Sequence, residues 1–220
     1  MKKILGILRG FPGLGRVVSG VSILETLRDS YGYDVKIISY LQGNKYLYSR
    51  GYNNLNEVTP MDYCSIGLLP TNKMGIYIHN CIREFTPDLI VVDGEPLMIK
   101  SIKISHPSIK VVALLNPADV VNSNNYKEAM DFFNEFYSLS DLAIVHGLRR
   151  IDKDSRYNEF LSISTIIRPE IIGIKNVPTN NIYCVLGGGT VNVEQQFVDS
   201  TITIGQLCQK VASLLPQYTM

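Results

Sequence analysis

Two acidic residues, Asp93 and Glu95, stand two positions apart where an apolar run meets a turn. Residues 89–92 are all apolar, and Gly94 and Pro96 favour a turn directly after them. A carboxylate at the end of a buried strand can accept a proton from a hydroxyl group, and partial burial raises its pKa toward neutrality. The pair is therefore a candidate catalytic base. The alternative is that Asp93 caps the next helix and that Glu95 is solvated.

The chain has three histidines, and one of them, His146, stands at the end of a second apolar run. Imidazole titrates near neutral pH, so His146 is a third catalytic candidate. His79 falls on a predicted helix, offset from its apolar stripe, and His106 precedes a proline in a predicted loop. We expect His79 at the surface and His106 in that loop. A plain structural role is the alternative for each histidine.

Glycines are concentrated in the turn that follows the first apolar run. Gly13 and Gly15 precede Arg16, after which apolar residues recur at helical spacing. A strand that turns through glycines into a helix directs free N–H groups toward the turn, which favours an anionic or hydroxyl-rich ligand. We take these three residues as candidates for substrate binding. No P-loop pattern is present here, and Gly20 comes too late for a regular GxGxxG, so a simple tight turn is the alternative.

The elements that must position these residues form a regular series. Six strand-like runs alternate with helical patterns over residues 1–172, which predicts a doubly wound, Rossmann-like α/β domain with a parallel sheet. Residues 40–60 have weak periodicity and are predicted to be loops. Ligands of such sheets bind beyond the carboxyl ends of the strands. This edge would gather the glycine turn, Asp93, Glu95, His146 and Asn116, and we assign Asn116 to substrate binding.

The same supersecondary unit begins again near the C-terminus. Residues 173–181 have the composition of a linker, 182–186 form a strand-like run, and Gly187, Gly188, Gly189 and Thr190 make a second glycine turn. We expect residues 182–220 to start a second Rossmann-like domain or to pack back on the first. The unfinished second copy predicts a truncated chain or a partner chain.

Composition narrows the class of protein. Lys and Arg number 21 against 20 Asp and Glu, which gives no net field for nucleic acid. The four cysteines form no CxxC pair, so we expect reduced thiols, a cytoplasmic protein and no metal or cofactor. No apolar run approaches the ~20 residues that cross a bilayer, although peripheral membrane contact stays open.

Three short motifs resemble glycosyltransferases of the GT-B fold, near the branch that contains the lipid-linked N-acetylglucosaminyl transferase of cell-wall synthesis. They are GLGR at 13–16 with SILETLR at 22–28, PDLIVVDGEP at 87–96, and YCVLGGGT at 183–190. The resemblance implies an N-terminal acceptor-side domain, a nucleotide-sugar donor held by a second domain, and transfer without an essential metal. It also implies that Gly187 to Thr190 contact the donor phosphates and that the acceptor is a sugar or a lipid-linked sugar.

The chain departs from this family at one important position. Arg16 stands where the family has a histidine, and a guanidinium cannot act as a base but can clamp a phosphate or a carboxylate. We therefore expect the acceptor-binding portion of a glycosyltransferase, completed by its own second domain, a partner subunit or a homo-oligomer. A non-catalytic nucleotide- or sugar-binding module is the alternative. An oxidoreductase is less favoured because strand 34–39 does not end in an acidic residue.

Overall fold

The computed structural model describes residues 2–11, 13–57, 72–122, 126–175, 181 and 204–216. Its centre is one six-stranded sheet in which all neighbouring strands are parallel. The strands are β1 (Lys3–Leu8), β2 (Asp34–Ile38), β3 (Leu89–Asp93), β4 (Lys110–Leu115), β5 (Leu142–His146) and β6 (Phe160–Ile163), in the order β2-β1-β3-β4-β5-β6. The predicted doubly wound parallel fold is confirmed.

Helices connect successive strands over most of the sheet. They are α1 (Gly15–Tyr31), α2 (Gln42–Ser49), α3 (Asn72–Phe85), α4 (Pro96–Ser105), α5 (Pro117–Val120), α6 (Lys127–Tyr137), α7 (Pro169–Ile172) and α8 (Ile204–Leu214). The helix α2 corrects the expectation of loops over residues 40–60. Glycine and asparagine are poor helix formers, and α2 forms because its Leu47 is fully buried against the core.

Alternate residues of β1 enter two separate apolar clusters, because successive side chains of a strand point to opposite faces. Leu5 and Ile7 pack with residues of α3 and α4, whereas Ile4 and Leu8 pack with residues of α1. Burying each large apolar side chain contributes about 1.5–3 kcal/mol, so both layers of helices are held to the sheet.

Two glycines bring α1 unusually close to β1. A Cβ atom on Gly6 would lie 2.3 Å from Leu24 Cδ1, and a Cβ atom on Gly20 would lie 2.5 Å from Leu8 Cδ2. In each element, a glycine therefore leaves the space that a leucine of the other element occupies. Gly20 is a packing residue within α1 and is not part of the turn before it.

The chain divides into two compact units, Met1–Pro169 and Glu170–Met220. The described part of the second unit includes helix α8. The predicted strand at 182–186 and most of the predicted linker at 173–181 lie outside the described residues, and the second domain stays a prediction. Within the described ranges, no helix has both the length and the apolar composition needed to cross a bilayer.

Candidate functional site

The candidate site lies where the order of the strands reverses. From β1 the chain passes to β2 on one side, and it later returns to β3 on the other side of β1. The backbone N–H of Arg9, just after β1, donates to the carbonyl oxygen of Asp93 at the end of β3 (2.9 Å). Ligands of doubly wound sheets bind at this switch point, beyond the carboxyl ends of the strands.

Arg16 connects three elements at this edge. In the first turn of α1, its guanidinium donates from Nη1 to Asp93 Oδ1 (2.7 Å) and from Nη2 to Asp119 Oδ1 of α5 (2.6 Å). Burial lowers the pKa of Arg16, but the Asp119 and Asp93 carboxylates outweigh it and hold that pKa well above its usual value. Arg16 therefore pairs with two carboxylates of the chain itself, and its predicted contact with a ligand stays a prediction.

Gly94 provides the space for this arginine. Its φ is +83°, and a Cβ atom there would lie 2.6 Å from Arg16 Cδ and 2.7 Å from Arg9 Cβ. A residue with a side chain would be strained in this backbone conformation and would also collide with the stems of both arginines. The turn after β3 therefore requires glycine.

Asp93 is almost completely buried, with 1% of its surface exposed. Its Oδ1 accepts from Arg16, and its Oδ2 has no hydrogen-bond partner among the described residues. Burial raises the pKa of Asp93 to about 6, against the opposing charge of Arg16. The alternative that Asp93 caps α4 is wrong, because the residue at the N-cap of α4 is Glu95.

Glu95 is also buried, with 2% exposure, so the alternative of a solvated side chain is wrong. The hydroxyl of Tyr40, just after β2, donates a short hydrogen bond to Glu95 Oε1. Glu95 Oε2 lacks a hydrogen-bond partner in the part of the chain that the structure describes. Burial raises the pKa of Glu95 to about 8, although the Tyr40 hydrogen bond and the charge of Arg9 oppose this shift. The carboxyl group is therefore mostly protonated at pH 7.

His146 and Asn116 complete the edge. His146 ends β5 with 6% exposure, and burial followed by the charge of Arg16 lowers its pKa, so its imidazole is neutral at pH 7. The backbone N–H of Asn116 donates to Asp119 Oδ2 (2.7 Å), which joins Asn116 to Arg16 through Asp119. The role of Asn116 in substrate binding stays a prediction, since this contact is structural.

Sequence reasoning missed Arg9, Tyr40, Asp119 and Tyr137. Arg9 directly follows β1 and Tyr40 lies two residues after β2, so the strand-end argument that selected Asp93 could have found them. Asp119 is the third residue of a helix that begins at Asn-Pro, where a carboxylate commonly returns to the N-cap. Tyr137 lies on the buried face of α6, where sequence alone predicts a core residue.

The glycine turn before α1 is partly open. Gly13 has a φ of +79°, and Cβ atoms on Gly13 or Gly15 would meet nothing within 4 Å. Space is therefore available beside the start of α1, as substrate binding would require. Gly187, Gly188, Gly189 and Thr190 lie outside the described residues, and their contact with donor phosphate stays a prediction. The described residues contain no group of three or more His, Cys, Asp or Glu that could hold a metal ion.

Comparisons with known proteins add a likeness of fold. No protein-family model and no curated protein sequence matches the chain. Among solved structures, the chain is similar to a UDP-glucose: anthocyanidin 3-O-glucosyltransferase in complex with UDP, with 11% identity and a TM-score of 0.46. The match covers 81% of this chain and 56% of that one, so the chain spans little more than half of that structure. A likeness at this level carries no argument about function.

Proposed function

We propose that this domain binds a hydroxyl-rich acceptor at the switch point and forms the acceptor side of a glycosyltransferase that uses a nucleotide-sugar donor. The observation that supports this proposal is the pair of buried carboxyl oxygens, Asp93 Oδ2 and Glu95 Oε2, that lack hydrogen-bond partners among the described residues. A buried polar atom without a partner costs about 1–3 kcal/mol. Sugar hydroxyl groups would recover that free energy by donating to Asp93 Oδ2 and, at pH 7, by accepting from the protonated carboxyl group of Glu95.

Glu95 is our choice for the catalytic base. Asp93 is held by Arg16, whereas Glu95, with a pKa of about 8, is half ionised at about pH 8, and its ionised form is a stronger base than an ordinary carboxylate. In the transfer step, the acceptor oxygen bonds to the anomeric carbon while the bond from that carbon to the diphosphate breaks. The acceptor proton passes to Glu95, and the nucleoside diphosphate leaves with the electron pair. His146, held neutral, is the second candidate.

The remaining parts of the reaction are assigned on the resemblance. The glycine turn at 13–15 would border the acceptor, and Gly187 to Thr190 would contact the donor phosphates, without a metal ion. Donor binding would come from the second unit of the chain, from further sequence or from a partner chain. Sugar or lipid-linked acceptors and peripheral membrane contact belong to this proposal.

One observation favours a second function, a non-catalytic module that binds a sugar or a nucleotide. Arg16 occupies the position of the family's histidine, and both of its terminal nitrogens are paired with carboxylates. A guanidinium fixed in this way has no lone pair with which to activate a hydroxyl group. If Glu95 does not replace the missing base, the same site at the switch point binds its ligand without sugar transfer.

The experiment incubates the full chain with a panel of nucleotide sugars and sugar acceptors and follows release of nucleoside diphosphate. The proposal expects release that Glu95→Gln abolishes and that Asp93→Asn lowers, with the exposed Glu135→Gln as the matched control. Acceptor binding without release from any donor would favour the non-catalytic module. Equal release by wild type and Glu95→Gln would remove Glu95 from the mechanism, and neither binding nor release would refute both functions.

A further inference from the structure

His79 of α3 and His106, the residue after α4, meet at a seam between these helices, away from the carboxylate site. His79 Nδ1 lies 3.1 Å from His106 Nε2, and the two rings stack with their centroids 5.3 Å apart. His79 Nε2 lies 2.8 Å from the hydroxyl oxygen of Ser101 in α4. The expectation that His79 lies at the surface is therefore wrong, because its ring is partly buried in contact with His106, which lies just after α4 in the predicted loop.

The hydrogen-bond pattern limits where the protons can lie. When both rings are neutral, a single proton lies between Nδ1 of His79 and Nε2 of His106. If His79 Nε2–H donates to Ser101 Oγ, then His79 Nδ1 carries a lone pair. If the proton of His106 moves from Nε2 to Nδ1, then His106 Nε2 also carries a lone pair, and both nitrogens can bind one metal ion.

The surroundings favour a neutral His79 ring. Burial lowers the pKa of His79, and the neighbouring His106 and the positive charge of Arg83 lower it further. Neutral imidazole is the form that binds metal ions. Burial and these charges therefore favour the neutral, metal-binding form of His79.

We propose that His79 and His106 together bind a divalent transition-metal ion of the Zn²⁺, Ni²⁺ or Cu²⁺ class and thereby join α3 to α4. Two nitrogens at 2.0–2.1 Å from one metal are about 2.9 Å apart at a right angle and about 3.3 Å apart at the tetrahedral angle. The observed 3.1 Å lies between these values, so the two nitrogens already have the separation that one metal ion requires.

The other coordination positions would be filled by water, since no third His, Cys, Asp or Glu completes a metal cluster among the described residues. The Ser101 hydroxyl would not bind the metal ion but would form a hydrogen bond with its ligand, His79. When it accepts from Nε2–H, it fixes the tautomer in which Nδ1 of His79 faces the ion.

The test titrates the full chain separately with ZnCl₂, NiCl₂ and CuCl₂, using calorimetry for stoichiometry and thermal unfolding for stability. We expect about one ion per chain and, at a free metal concentration about 100 times the dissociation constant, a rise of about 5–10 °C in the unfolding midpoint. His79→Gln and His106→Gln should each abolish both effects. His146→Gln removes the third histidine and should preserve them.

Ser101→Ala separates ligation from folding, because it keeps both imidazoles. It should weaken the metal affinity by about 10-fold or more while circular dichroism stays unchanged. Binding that survives in the His79→Gln, His106→Gln double variant would place the ion elsewhere, for example on cysteines, and would overturn the proposal. Failure of all three ions to bind would also overturn it.

Discussion

Replacing Glu95 by glutamine isolates the cost of ionising a buried carboxyl group. Burial raises the pKa of Glu95 from 4.5 to about 8 in the folded protein. The folded state then holds the proton more tightly than the unfolded chain, so the free energy of unfolding falls as the pH rises from about 4.5 to about 8. At 1.36 kcal/mol per pKa unit this loss totals about 5 kcal/mol, of which about 4 kcal/mol falls between pH 5 and pH 9.

Glutamine has nearly the same shape but cannot ionise, and its amide oxygen can still accept from the Tyr40 hydroxyl. The variant should therefore gain stability relative to wild type by about 4 kcal/mol on going from pH 5 to pH 9. Urea unfolding at a series of pH values measures this difference. Tyrosine fluorescence is the probe, since the chain has 13 tyrosines and no tryptophan.

The exposed Glu135→Gln is the matched control and should follow wild type at every pH. Asp93 titrates in both proteins, so its own contribution cancels to first order in the comparison. Parallel stability curves for wild type and Glu95→Gln across this pH range would refute the reasoning, because the ionisation of Glu95 would then cost nothing.

Two further changes test the frame of the site, and a third tests the amino ends of the strands, all by urea unfolding. Gly94→Ala should lose about 1–3 kcal/mol through strain at positive φ and collision with two arginine stems, whereas Gly15→Ala, with open space around it, should change stability by less than about 1 kcal/mol. Arg16→Met should lose about 3–5 kcal/mol at neutral pH by leaving buried Asp93 unpaired, and the loss should shrink below pH 6, where Asp93 is protonated. Asp141 accepts from two lysines and a backbone N–H, and although burial alone would raise its pKa, these contacts outweigh it and lower that pKa to about 2. Asp141→Asn should therefore cost about 2 kcal/mol above pH 4, and this difference should vanish as the pH falls toward 2; a constant difference would contradict the assignment.

The strands could be predicted because buried parallel strands need continuous apolar runs. The run before Asp93 is β3 in the structure, as expected. The last of the six strand-like runs, at 162–167, only partly overlaps β6 at Phe160–Ile163, whose residues are partly buried or exposed. An edge strand has fewer apolar contacts to define it, so its limits are less visible in the sequence.

The candidate site was predictable only in outline. Strand ends selected Asp93, Glu95 and His146, which the fold does place along one edge of the sheet. The pairing of Arg16 with Asp119 spans 103 positions and depends on where α1 and α5 come to lie, which no local pattern encodes. The burial of Glu95 likewise depends on Tyr40, which follows a different strand.

The reciprocal contacts of Gly6 with Leu24 and of Gly20 with Leu8 fix the position of α1 along β1. Sliding the helix along the strand by even one residue would drive a leucine into the opposite backbone. The packing of Gly20 on Leu8, one turn further along α1, therefore fixes the position of Arg16 relative to the sheet. This position does not depend on the length of the loop before α1. Insertions or deletions in that loop would change the glycine turn beside the site and leave the pairing of Arg16 with Asp93 and Asp119 in place.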